Sequence, residues 1–137
     1  MRPKNGRVRG FTLIELLLVM VILVILAGTV VFRAVGKLDD ANRASAKTSI
    51  RSLETALDAF AIDCGRFPTM QEGLDALATN PGVEGWKGPY VKLVPADPWG
   101  GAFQYRVPGE HFPDSYDLFS LGKDRMEGTD DIVNWTS

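Results

Sequence analysis

Four carboxylates fall within eight residues near the C-terminal end of the chain: Asp124, Glu127, Asp130 and Asp131. Crowded oxygen donors suit a hard cation. Calcium takes about six to eight oxygens from carboxylates, backbone carbonyls and water. The stretch from Leu121 to Ile132 contains Gly122 and Gly128 and carries Asp near both ends. It can therefore turn back on itself and bring Asp124, Asp130 and Asp131 together, with Glu127 as a weaker candidate. The pattern is not an EF-hand, whose oxygens alternate along the loop and end in a bidentate Glu. Composition alone also admits a loop whose like charges simply face water.

The second residue with chemical leverage is Glu15, the only ionisable side chain from Phe11 to Phe32. A charge well inside a membrane helix costs about 2.5–3.5 kcal/mol on insertion scales. Glu15 therefore either reaches interfacial water or meets a positive charge from a neighbouring molecule. The candidate cation at matching depth is a free amine at position 11, which requires cleavage after Gly10. Other chemistries lack their parts. One cysteine, Cys64, and one histidine, His111, leave no zinc ligand set of the usual kind, no Cys–His nucleophile pair and no intrachain disulfide. Cys64 reads as a small, partly buried thiol. No glycine-rich phosphate loop is present, and an enzyme is not expected.

These residues need elements to position them. Arg2, Lys4, Arg7 and Arg9 form a basic leader ahead of an apolar run that continues to Phe32. Roughly 20 helical residues cross a hydrocarbon core about 30 Å thick, and the run is just long enough. The chain divides into a leader at 1–10, a membrane half-helix at 11–35 and a head at 36–137. The formal net charge is −2, and the four leader cations leave −6 on the remainder. A basic N-terminus stays on the cytoplasmic side. An acidic body argues against nucleic acid, which requires clustered Lys and Arg. An ordinary secretory signal is the rival for the first 30 residues, with Ala27-Gly28-Thr29 as a weak cleavage site.

No proline occurs between Asn5 and Arg66. Ile50, Leu53, Leu57 and Phe60 recur at spacings of three, four and three, which marks one helical face. One helix is expected from about Thr12 to Asp63, roughly 75–80 Å long. Gly65 suits its stop and Pro68 prevents continuation. Thr69-Met70-Gln71-Glu72 has the form of a capping box ahead of a short helix through Leu74, Leu77 and Ala78. Tyr90–Val94 and Ala102–Val107 read as two antiparallel strands, with Tyr116–Ser120 as a third. Trp86, Tyr90, Trp99, Phe103, Tyr105 and Phe119 are assigned to the core or sheet face. The fold class is α+β.

The leader followed by Gly10-Phe11-Thr12-Leu13-Ile14-Glu15 and the apolar helix resembles the class III signal of type IV pilins and pseudopilins. Arg66-Phe67-Pro68-Thr69, Glu72-Gly73-Leu74, Gly88-Pro89-Tyr90 and Asp97-Pro98-Trp99-Gly100 are similar to segments of the major pseudopilins of type II secretion. The resemblance implies a pilin-like fold and cleavage between Gly10 and Phe11 by a membrane prepilin peptidase. It implies N-methylation of Phe11, and pairing of Glu15 with the terminal amine of an adjacent subunit. It also implies a calcium site using Asp124, Asp130, Asp131 and the carbonyl of Leu121. That family commonly has Gly-Pro-Asp-Gly where this chain has Gly122-Lys123-Asp124-Arg125, and proline where Phe32 stands. The implied function is a structural subunit of a periplasmic fibre that drives folded proteins across the outer membrane. Before assembly the subunit would be anchored once in the inner membrane. The implied partners are further copies, minor pseudopilins, the inner-membrane assembly platform and the peptidase. A type IV major pilin and a monomeric membrane-anchored calcium-binding protein are the alternatives.

Overall fold

The computed structural model describes the backbone of residues 10–135 and, within that range, the side chains of all but residues 29–35. The leader cations Arg2, Lys4, Arg7 and Arg9 and the side chain of Phe32 lie outside the described residues. The chain contains two compact units, the first ending at Leu38 and the second beginning at Asp39.

Helix α1 runs Leu13–Cys64, one residue from the expected bounds at each end. Gly65 terminates it with φ 74°, and its amide donates to the Ala61 carbonyl at 2.8 Å. That left-handed conformation is one glycine adopts without a Cβ clash. In the first unit the described apolar side chains are open, from Phe11 and Leu13 through Leu26. Among the described residues no helix is long and apolar enough to cross a membrane. The expected span at 11–35 includes residues 29–35, whose side chains lie outside that description.

In the second unit the helical face expected from spacing is the floor of the core. Ile50 is 3% exposed, and Leu53, Leu57 and Phe60 are 0% exposed. Leu74, Leu77, Phe103, Tyr116, Leu118 and Ile132 join them in the cluster, with Ala46, Ala56 and Ala76. Phe103 and Phe119 are buried. Trp86, Tyr90, Trp99 and Tyr105 pack on the core while remaining partly open. Their polar tips find partners, as half-buried Tyr and Trp require. Tyr105 Oη donates to the Pro68 carbonyl at 2.9 Å, and Trp86 Nε1 donates to the Ala76 carbonyl at 2.9 Å.

The sheet differs from expectation. Its strands are β1 (Gln104–Arg106), β2 (Asp117–Ser120) and β3 (Ile132–Val133), in the order β1-β2-β3 and antiparallel throughout. Gln104 pairs with Phe119, and Ser120 with Ile132. Two expected strands are present in shortened form. The expected strand at Tyr90–Val94 is not one. The amides of Tyr90 and Val91 both donate to the Leu77 carbonyl, at 2.8 and 3.2 Å, so the segment is tied to a neighbouring turn rather than to a ladder. β3 replaces it and comes from the end of the acidic loop.

The short helix beyond Thr69 is also corrected. It is a 3₁₀ helix at Leu74–Leu77, preceded by Gly73 at φ 56°. The capping-box bonds do form: the Thr69 amide donates to Glu72 at 2.8 Å, and the Glu72 amide donates to Thr69 Oγ1 at 3.3 Å. They close a turn, because the left-handed Gly73 interrupts any helix that would start there. Glu72 also takes a two-pronged bond from Arg66, with both distances 2.7 Å. Arg66 first, then the Thr69 amide, hold its carboxyl down at about 2.

Candidate functional site

Thr12 and Glu15 sit at the start of α1, three residues apart. Glu15 Oε2 accepts from the Thr12 amide at 3.0 Å and from Thr12 Oγ1 at 3.1 Å, while the Glu15 amide donates back to Thr12 Oγ1 at 3.3 Å. This is a reciprocal capping box that satisfies orphan donors of the first helical turn. Among the described residues the partner of the Glu15 carboxylate is Thr12, which holds it against the helix end. The sequence analysis assigns Thr12 no capping role, and Thr-x-x-Glu is the signature that reveals one. Gly10 and Phe11 precede the helix and are open, with Phe11 88% exposed.

The acidic loop connects β2 to β3, so its two ends are fixed by neighbouring strands. Leu121 leaves β2, and Gly122 follows at φ 66°. A Cβ on Gly122 would meet Asp130 Oδ2 at 2.9 Å and the Asp130 carbonyl at 3.0 Å, so glycine lets the two limbs of the loop close together. Asp124 Oδ1 accepts from the Met126 amide at 2.9 Å, and Asp131 Oδ2 accepts from the Gly128 amide at 3.1 Å. Asp131 Oδ1 is buried with no hydrogen-bond partner. Burial pushes the Asp131 carboxyl above its ordinary range. The Gly128 amide opposes that shift, and the charges of Asp130, Glu127 and Asp124 add to it. Among the described residues, no group of three or more His, Cys, Asp or Glu side chains stands ready to hold a metal ion. The loop thus has a buried orphan oxygen with further carboxylates around it, but not an assembled cage.

Glu127, the weaker ligand candidate, is engaged elsewhere. Arg106 on β1 grips it with two bonds of 3.0 and 2.7 Å. The Arg106 guanidinium also lies 5.1 Å over the Phe119 ring. Arg125 has φ 58°, the one non-glycine in the left-handed region among the described residues. That conformation costs an ordinary residue about 1–2 kcal/mol. Its Nη2 donates to the Trp99 carbonyl at 2.5 Å. The turn it reaches is closely bonded: Asp97 N to the Gly101 carbonyl at 2.9 Å, Gly100 N to the Asp97 carbonyl at 2.8 Å, and Trp99 N to Asp97 Oδ1 at 3.0 Å. Trp99 Nε1 in turn donates to Asp39 Oδ1 at 3.3 Å.

His111 and Asp117 form the other polar centre. Asp117 is 0% exposed. Its oxygens accept from the amides of Glu110 at 2.8 Å, His111 at 3.0 Å and Phe112 at 3.2 Å, and Oδ2 lies 3.0 Å from His111 Nδ1. The imidazole stacks on Trp135 with centroids 3.9 Å apart and planes at 7°. The hydrogen bonds of this pair fold the 109–117 loop, the Trp135 stack ties it to the C-terminal segment, and no nucleophile is bonded to it among the described residues.

A helix entered from an open Gly-Phe-Thr-Leu-Ile-Glu start, an amphipathic continuation under a small antiparallel sheet, and an acidic loop closing that sheet define a pilin-like subunit. The family described as type II secretion system (T2SS), protein G matches residues 33–135, and the prokaryotic N-terminal methylation motif matches residues 5–31. The type II secretion system core protein G of Klebsiella michiganensis is 46% identical over 134 residues, covering 93% of each chain. That of Pseudomonas aeruginosa is 43% identical, covering 92% of this chain and 94% of the other. The crystal structure of the major pseudopilin from the type 2 secretion system of enterohaemorrhagic Escherichia coli superposes with a TM-score of 0.63 at 36% identity. It covers 74% of this chain and 92% of that one. The chain belongs to the type II secretion system protein G family.

Proposed function

We propose that this chain is the repeating subunit of a type II secretion pseudopilus, anchored by α1 in the inner membrane with its head in the periplasm until it joins the fibre. The observation that carries this reading is the chain's own N-terminal design. An open apolar helix surface begins immediately behind a carboxylate that already sits at the helix start. Cleavage after Gly10 creates a positive amine on Phe11, next to the Thr12 amide that Glu15 accepts. In a fibre the same carboxylate can accept the amine of an adjacent copy, and the apolar surface is covered by other helices instead of lipid. Head-to-tail repetition of one such contact builds an open helical polymer. Further copies, minor pseudopilins, the assembly platform and the prepilin peptidase are the partners this role requires. The role is structural rather than catalytic.

The test is the intact mass of the chain extracted from membranes of its native host. The expected species lacks residues 1–10 and carries one added methyl group on Phe11. A full-length mass would reduce the start of the chain to a signal anchor and sink the fibre reading.

Calcium is the cation proposed for the acidic loop. Asp131 Oδ1 is the donor without a partner, and Asp124, Asp130 and the Leu121 carbonyl are the further oxygens proposed to join it. Bound there, calcium supplies positive charge to Asp124, Asp130 and Asp131, the carboxylates that Arg106 leaves unpaired, and fixes the loop onto β2. A cation that binds only the folded chain at a hundred times its dissociation constant stabilises it by about 2.7 kcal/mol. The full chain in detergent micelles should therefore melt several degrees higher in excess calcium than in EGTA. Equal melting temperatures would remove calcium from the reading.

A further inference from the structure

We propose that Arg106 and Arg125 form a built-in clasp that keeps the acidic loop docked before any divalent cation binds. The cation half of this statement rests on the calcium reading above; the clasp itself does not. The loop would otherwise be a run of carboxylates repelling one another between two short strands. Two guanidinium groups tie it to its surroundings, one from outside the loop and one from within it. Arg106 comes from β1 and holds Glu127 with a two-pronged ion pair, the geometry in which arginine binds carboxylate best. Arg125 belongs to the loop itself and reaches out of it, to the Trp99 carbonyl at 2.5 Å.

Three observations single out Arg125. It is held at φ 58°, where an L residue is disfavoured. Its side chain does not turn back onto Asp124, Asp130 or Asp131, the carboxylates it would be drawn to by charge; it is spent on a neutral carbonyl. And the receiving turn has a slot for it, because a Cβ on Gly100 would stand 3.1 Å from the Arg125 Nη2 atom. A cavity of about 80 Å³ between the loop and that turn is lined by Asp97, Trp99, Gly122 and Arg125. The chain of bonds continues from Trp99 Nε1 to Asp39 Oδ1, whose other oxygen accepts from Arg43 Nε at 3.4 Å. The order of the loop is thereby tied to the α1 residues at the start of the second unit. In physical terms, the guanidinium supplies part of the cross-loop tethering that a cation supplies by coordination. The subunit should then tolerate low calcium better than the carboxylate count implies.

The experiment is hydrogen exchange on the full chain in detergent micelles, comparing the parent with Arg125→Asn, in EGTA and in excess calcium chloride. Asparagine tolerates the left-handed conformation, so the substitution removes the clasp with little backbone penalty. Amides of residues 121–131 in EGTA should exchange about tenfold faster in the variant, the scale of one charge-assisted hydrogen bond. Calcium should bring the two proteins close together. Amides from Ile50 to Leu57 should exchange alike in both, which verifies the fold; Arg106→Gln should repeat the loop effect from the other side. Loop exchange in EGTA that is the same for parent and Arg125→Asn overturns the clasp, whatever calcium does. A faster variant in EGTA with no response of either protein to calcium upholds the clasp and overturns the calcium reading instead.

Discussion

Asp117→Ala is expected to lower the unfolding free energy by about 3–5 kcal/mol, because it removes a buried charge and strands the groups bonded to it. Three backbone amides, those of Glu110, His111 and Phe112, converge on this one carboxylate, and the His111 ring adds a fourth contact. In the alanine variant those amides lose the acceptor they share. A small domain is stable by only about 5–15 kcal/mol, so the loss is a large share of the total. Urea unfolding of the full chain in micelles, followed by tryptophan fluorescence, measures it. A loss under 1 kcal/mol would mean that water replaces the carboxylate and that the loop is not organised by it.

The same residue carries an acid signature. Burial alone would raise the Asp117 pKa, but the His111 amide and imidazole, with the amides of Glu110 and Phe112, outweigh burial and leave it below its ordinary value. In the window between the folded and ordinary values, the unfolded chain binds a proton that the folded chain does not. The contribution to stability is therefore complete above about pH 5 and is lost as pH falls through the ordinary value toward the lower folded one. Glu72, held at about 2 by Arg66 and the Thr69 amide, extends the same direction of loss further into acid. Asp117→Asn, which keeps the shape and removes the charge, should flatten the Asp117 part of the acid limb. An unchanged limb in that variant would show that other carboxylates govern acid stability.

Phe60→Ala is expected to cost about 3–5 kcal/mol as well, by a different mechanism: lost transfer energy plus an unfilled cavity. Phe60 is 0% exposed and meets Tyr90 edge to face at 5.7 Å. Tyr90 Oη in turn donates to Asp63 at 3.0 Å, where Lys87 Nζ also sits at 3.1 Å. Losing the phenyl ring removes the surface against which that aromatic group is fixed. Phe60→Leu should cost roughly 1–2 kcal/mol, since most of the volume remains. The same urea titration separates the two. Equal and small losses would place Phe60 at a site that collapses freely, contrary to its full burial in a cluster made by α1 and the sheet.

Two kinds of information separate in this protein. Where an interaction repeats along the chain, its sequence spacing is its geometry. The 3-4-3 spacing of Ile50, Leu53, Leu57 and Phe60 is one helical stripe in any setting, so α1 and its buried face were legible, as was the stop at Gly65. The Gly10–Glu15 motif was legible because its parts are six consecutive residues at the entry to α1. The acidic loop was legible as a concentration of oxygens, since composition alone states it.

What tertiary structure decided lies between residues far apart in the chain. Tyr90–Val94 has strand-forming residue types, yet its amides go to Leu77, because the backbone takes whichever acceptor the packed neighbours present. Ile132–Val133 is too short to announce itself, and it becomes a strand only because β2 offers an edge. Glu127 is in the acidic run, but Arg106, 21 residues away, claims it. Asp117 looks like an ordinary strand residue and is instead the anchor of the preceding loop. Arg125 is a cation among carboxylates by sequence, and by structure a bridge to Trp99 and through it to Asp39. Local periodicity encodes which residues share a face; it contains no term for which distant donor finds which acceptor when the faces come together.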